Sequence, residues 1–190
     1  MSSQNRPDEA ILRLQDAAAA AGLPDAATAF AELVERMRGA VAFDARFVGI
    51  YSGGAWLAEK LAEAIPGNHP VGYIDASFYR DDYARKGLKP ELHATRLPFE
   101  VEGASIVLVD DVLYTGRSVR AAINELFDYG RPASIELAVL VDRGGRELPI
   151  EATYVGARLV VARELSIVLS RTADGTLALG AEPTSEQRHA

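Results

Sequence analysis

The chain has 190 residues, 48% of them hydrophobic and 25% charged, a length and balance that fit one globular domain and exclude a fibrous or disordered chain. Cys is absent, which excludes disulfides, thiolate metal sites and cysteine nucleophiles. A formal net charge of -7 opposes any broad nonspecific nucleic-acid surface, because such binding rests on Lys and Arg neutralising phosphates; a local basic patch stays compatible with it. The opening MSSQNRPDEA has no charged leader followed by an apolar block, and no apolar run reaches the roughly 20 residues that a membrane helix needs, so the cytoplasm is the expected compartment.

Residues 1–40 read as a helical segment packed on the core. Apolar residues in AILRLQDAAAAAGL and in DAATAFAELVERMRGA recur at helical spacing, with Gly22 and Pro24 separating two helices and Asp25 placed to cap the second. Over residues 41–180 short apolar strands alternate with amphipathic helices, the pattern of an α/β domain with a mainly parallel sheet. The strand candidates are Phe47 to Tyr51, Val71 to Asp75, Ser105 to Asp110 and Ile135 to Val141. Helices are expected at Trp56 to Ala64, burying Trp56, Leu57 and Leu61, and at Ser118 to Tyr129, where Gly130 and Pro132 end it. Tyr79 to Pro98 carries RDDYARKGLKPEL, mixed in charge and without a clear period, so a long exposed loop or β-arm is expected there. Residues 181–190, AEPTSEQRHA, are polar and expected to form a disordered tail.

The densest signal is IVLVDDVLYTGRSVRAAINEL, residues 106–126. A near-continuous apolar strand delivers Asp110 and Asp111 to its carboxyl end, and a short Thr-Gly turn then opens into a helix. Ligands of open α/β sheets sit at that edge. The turn Val112 to Ser118 can aim several backbone N–H groups inward, and the helix adds its positive end, so a phosphate dianion suits the place. Gly116 lets the backbone approach closely, while the hydroxyls of Thr115 and Ser118 add donors, Ser118 also serving as the expected helix cap. Two carboxylates repel a phosphate; their task is therefore to accept hydrogen bonds from ribose hydroxyls or to hold waters of a Mg²⁺ ion. Other nucleotide signatures fail, since Gly116-Arg117-Ser118 lacks the lysine and upstream glycine of a Walker loop and no G-x-G-x-x-G follows any candidate strand.

This segment resembles the binding motif for 5-phosphoribosyl-1-pyrophosphate (PRPP) of type I phosphoribosyltransferases. VDDVLYTGRSVRAAINEL followed by YGRPASIELAVLVDRGGRELPIEATYVG, together with IDASFYRDD at Ile74 to Asp82, is similar to the PyrR family of pyrimidine-operon regulators with uracil phosphoribosyltransferase activity. The likeness covers about residues 45–156. It implies a type I phosphoribosyltransferase fold, a central sheet flanked by helices with a small hood. It also implies that Asp110 and Asp111 face the ribose and that Val112, Leu113, Tyr114, Thr115, Gly116, Arg117 and Ser118 enclose the 5′-phosphate. By the same likeness Arg80 and the loop after it fold over pyrophosphate, and Val141 to Val155, with Asp142, Arg143 and Arg146, form a hood that recognises uracil.

Departures from the family accompany these matches. Ser52, Gly53 and Gly54 stand where a Lys/Thr-Arg-Gly turn usually binds pyrophosphate; the glycines permit an anion nest, but the Arg side chain is gone. Gly145 replaces a His in the expected hood, and ARLVVAR replaces K-N-I-P-T-S after Gly156. The implied reaction is uracil plus PRPP to UMP plus pyrophosphate, with Mg²⁺ accompanying PRPP and self-association into a dimer or larger oligomer. A catalytically weakened, nucleotide-sensing RNA attenuator of the pyrimidine operon is the alternative, and a purine-specific relative a third reading. A loop rich in Arg80, Arg85, Lys86 and Lys89 would close over the site and exclude water. His69, His93 and His189 lack metal-ligand spacing and read as exposed side chains; Arg143 and Arg146 could also make surface ion pairs with Glu147 or Glu151.

Overall fold

A computed structural model of the chain describes residue 19 and residues 22–76, 93–172 and 174–184. Helix α1 (Ala26–Met37) begins at Asp25, whose carboxylate accepts from the Thr28 N–H at 3.0 Å, the cap expected from the sequence. The earlier helix of the N-terminal segment lies outside the described residues. The chain then runs through β1 (Arg46–Ile50), α2 (Gly53–Ala64), β2 (Val71–Ile74), β3 (Ser105–Leu113), α3 (Arg117–Tyr129), β4 (Ser134–Asp142) and β5 (Tyr154–Arg158), and ends in β6 (Leu165–Arg171) and β7 (Leu177–Pro183).

Five strands form one parallel sheet in the order β2-β1-β3-β4-β5. Strands covered on both sides read as apolar runs, and Ile106 to Val109 are buried in this way. The pleat sends Ile106 and Leu108 into a cluster with Val119, Ala122 and Leu126 of α3, and Val107 and Val109 into one with Leu33 and Met37 of α1 and Leu57 and Leu61 of α2. The three-layer α/β architecture matches the expected fold class. Because the chain leaves β1 for β2 on one side and later adds β3 on the other, the order reverses between the carboxyl ends of β1 and β3, the place where open α/β sheets bind their ligands.

Three expectations need correction. β3 runs on through Asp110 and Asp111 to Leu113, because Val112 and Leu113 still pair with Val141 and Asp142. Ala181 to Pro183 are the last rungs of the antiparallel β6-β7 sheet, with Ala181 buried, and do not belong to a polar tail. His69 is buried, its ring stacked 4.6 Å from Phe47 and its Nδ1 3.0 Å from the Ala45 carbonyl, so it is a core residue and not an exposed one. His189, Arg80, Arg85, Lys86 and Lys89 lie outside the described residues.

Candidate functional site

Asp110 and Asp111 lie in succession near the carboxyl end of β3. Asp110 is buried and its Oδ1 accepts from the Asp111 N–H at 3.0 Å; Asp111 Oδ1 accepts from the Val112 N–H at 2.9 Å. The turn that follows is shorter than Val112 to Ser118, comprising Tyr114 to Gly116 between the strand and α3. Gly116 occupies the N-cap position of α3 at φ 89°, a left-handed conformation that costs Gly little, so the cap is Gly116 and not Ser118. Thr115 turns its hydroxyl oxygen toward the Arg117 N–H at 3.3 Å, and Ser118 sits half-buried in the first turn of the helix. The positive end of α3 thus opens immediately beside the two carboxylates.

Gly53 and Gly54 are the first two residues of α2, packed on β3, and not a free loop. A Cβ on Gly53 would lie 2.4 Å from Asp111 Oδ2, and one on Gly54 would lie 2.3 Å from the Val109 carbonyl. The glycines therefore let the positive end of α2 close directly onto the Asp111 side chain. Ser52 is exposed at the N-cap position with no side-chain cap bond, and the Tyr51–Ser52 peptide is cis. The starts of α2 and α3 therefore both lie beside the carboxyl end of β3.

The residues expected to recognise the base make contacts within the chain. The Val141 side chain is wholly buried in β4. Arg143 is 6% exposed; it donates to the carbonyls of Leu165 at 2.7 Å and Ala162 at 3.1 Å, and its guanidinium lies 4.1 Å from the centre of the Tyr114 ring. Arg146 pairs with Asp142 at 2.7 Å, not with Glu147 or Glu151, while Glu147 pairs with Arg117 at 2.7 Å. Gly145, at φ 77°, packs so near Tyr114 that a Cβ would come 2.4 Å from the ring. The stretch expected as a hood is the end of β4, a connecting segment and the start of β5.

Comparison with known proteins agrees with this geometry. The phosphoribosyl transferase domain family matches residues 24–165. A protein of Ralstonia nicotianae named Bifunctional protein PyrR is 54% identical over 148 residues, which span 78% of this chain and 84% of the relative. A protein of the same name from Pseudomonas syringae pv. tomato is 54% identical over 127 residues, covering 67% and 75% of the two chains. The chain belongs to the PyrR family.

Among solved structures, a hypoxanthine-guanine phosphoribosyltransferase of Bacillus anthracis superposes with a TM-score of 0.57 at 16% identity, over 74% of this chain and 82% of that one. The enzyme of Leishmania tarentolae gives 0.55 at 16% identity, over 73% and 80%. These likenesses establish the shared type I phosphoribosyltransferase fold. Within this PyrR-family chain, the foot of the expected arm is described on its return side. The His93 N–H donates to Asp75 at 2.7 Å, and the His93 ring stacks 4.4 Å from Tyr51, next to the turn at Ser52, so His93 is exposed yet engaged. Thr95 receives the Asp75 N–H at 3.2 Å and donates its hydroxyl to Glu125 of α3, tying that foot to the helix that opens at the candidate phosphate turn. Arg96 bridges to Tyr73 at the sheet edge.

Among the described residues no cluster of three or more His, Cys, Asp or Glu could hold a metal ion unaided. The two hard carboxylates of Asp110 and Asp111 fit a Mg²⁺ ion that arrives on substrate phosphates and keeps waters of its own. No described helix is long and apolar enough to cross a membrane.

Proposed function

We propose that the chain transfers the 5-phosphoribosyl group of PRPP to uracil, giving UMP and pyrophosphate. The observation that carries this reading is the convergence of Asp110, Asp111 and the Tyr114–Gly116 turn at the switch point of the sheet. The amides of the turn and the α3 N-terminus suit the 5′-phosphate, and the carboxylates suit the ribose hydroxyls. The C1′–O bond to pyrophosphate breaks with its electron pair leaving on pyrophosphate, a C1′–N1 bond forms, and the uracil N1 proton is released to solvent water.

Little covalent help is needed, since holding both reactants in line supplies much of the acceleration. Mg²⁺, when bound with PRPP, neutralises charge on the departing pyrophosphate. Asp110 and Asp111 would orient the sugar through its hydroxyls and accept bonds from metal waters. The positive end of α2, whose first residues carry no cationic side chain, supplies the backbone electrostatics for pyrophosphate.

The relatives' name, Bifunctional protein PyrR, supports a second, regulatory activity, and the sequence likeness supports RNA as its partner. We include regulation of pyrimidine genes and self-association in the reading. The test of the transferase is to incubate the protein with PRPP, Mg²⁺ and labelled uracil, with hypoxanthine and guanine as competitors. UMP is the expected product, undiminished by either purine; no UMP above a blank would refute the assignment, and loss of labelled UMP with formation of IMP or GMP when the purines are added would replace uracil as the substrate.

A further inference from the structure

The connection from β4 to β5 joins parallel neighbours without a helix, residues 143–153 crossing on the α3 side. Parallel strands normally need a helical crossover, and here an irregular segment takes that path. Its first half runs over the outside of the turn after β3. Arg143 N–H donates to the Leu113 carbonyl at 3.1 Å, and the Glu147 and Leu148 N–H groups donate to the Thr115 carbonyl at 3.0 and 3.2 Å.

Arg146 completes the clamp. Its Nη1 donates to the carbonyls of Leu113 at 3.3 Å and Tyr114 at 3.0 Å, its Nε to Ile150 at 2.9 Å, and its Nη2 to Asp142 at 2.7 Å. A trans peptide is planar, with C=O and N–H pointing opposite ways. Fixing the carbonyls of Leu113, Tyr114 and Thr115 toward the segment therefore turns the N–H groups of Tyr114, Thr115 and Gly116 away from it. An anion nest needs that orientation.

We propose that Arg146 is a positioning residue that aims the amides of the phosphate turn, and that it contacts neither base nor RNA. This rests on the reading of that turn as the 5′-phosphate site. The ion pair with Asp142 cancels its charge locally, so its contribution is directional, and its side chain is only 22% exposed. A planar guanidinium can span two successive carbonyls and a carboxylate at once, whereas an ammonium is a point donor.

The test uses the full chain as wild type, Arg146→Lys and Arg146→Ala, each checked for a cooperative thermal melt. UMP affinity by calorimetry and the KM values for PRPP and uracil are measured. Both variants are expected to bind UMP and PRPP roughly tenfold or more weakly, the loss of several charge-assisted bonds. Their KM for uracil stays within about twofold. Added guanidinium ion, but not ammonium, restores PRPP affinity to Arg146→Ala. If that variant does not fold, Arg146→Lys carries the test alone. Wild-type affinity for PRPP and UMP in Arg146→Lys would overturn the proposal, as would a defect confined to uracil KM or to an RNA gel shift. A wild-type chain that bound neither PRPP nor UMP would refute the site reading and this inference together.

Discussion

Glu125 shows how a single side chain reports on its surroundings. Burial pushes its carboxyl above the ordinary value of 4.5; the nearby Asp75 and Asp128 push the same way, against the hydrogen bond from Thr95, which lowers it. Its Oε2 is buried with no hydrogen-bond partner among the described residues. A carboxyl whose folded pKa is raised stabilises the fold most below the unfolded value, and this stability is lost as pH rises through the folded value. Thermal melts should therefore show Glu125→Gln gaining on the wild type as pH increases from about 4 to about 8. A difference that stayed flat or reversed over that range would contradict the assigned environment. At this scale the sequence singled out Asp110 and Asp111 by context, since an acidic pair alone reads equally as a solvated strand end and only the four apolar residues before it and V-L-Y-T-G-R-S after it point to a ligand site. Arg146 was illegible as a clamp: its acceptors are backbone carbonyls some thirty residues away, brought to it by a strand connection that leaves no pattern in composition.

The elements carry the site through their ends. The start of α2 was expected at Trp56, but the structure begins it at Gly53, since Gly53 and Gly54 are spaced to meet β3 and not to form an open turn. Adding a methyl at each position should have different consequences. Gly53→Ala meets a side chain that can move, so the fold is retained while Asp111 shifts, and kcat/KM for PRPP should fall about a hundredfold. Gly54→Ala meets the Val109 backbone and should lower unfolding free energy by about 1–3 kcal/mol. Steady-state kinetics and denaturant melts separate the two, and a Gly53→Ala enzyme with full activity would remove Asp111 from the account. The middles of α1, α2, α3 and β1 to β4 were readable from their apolar periods. Their ends were set by tertiary pairing, as with Leu113 opposite Asp142, and β5 to β7 were missed because Tyr154 to Pro183 mixes polar and apolar residues with weak alternation.

For the whole molecule, the order β2-β1-β3-β4-β5 fixes one place where two helix starts and one acidic strand end meet. Calorimetry of PRPP with Mg²⁺ tests it most directly, comparing the wild type with the double variant Asp110→Asn, Asp111→Asn. The account predicts clear binding heat for the wild type and affinity reduced at least about tenfold in the variant, because neutral amides orient ribose hydroxyls and metal waters less strongly than carboxylates do. No binding heat for the wild type, or equal affinity in both proteins, would contradict it.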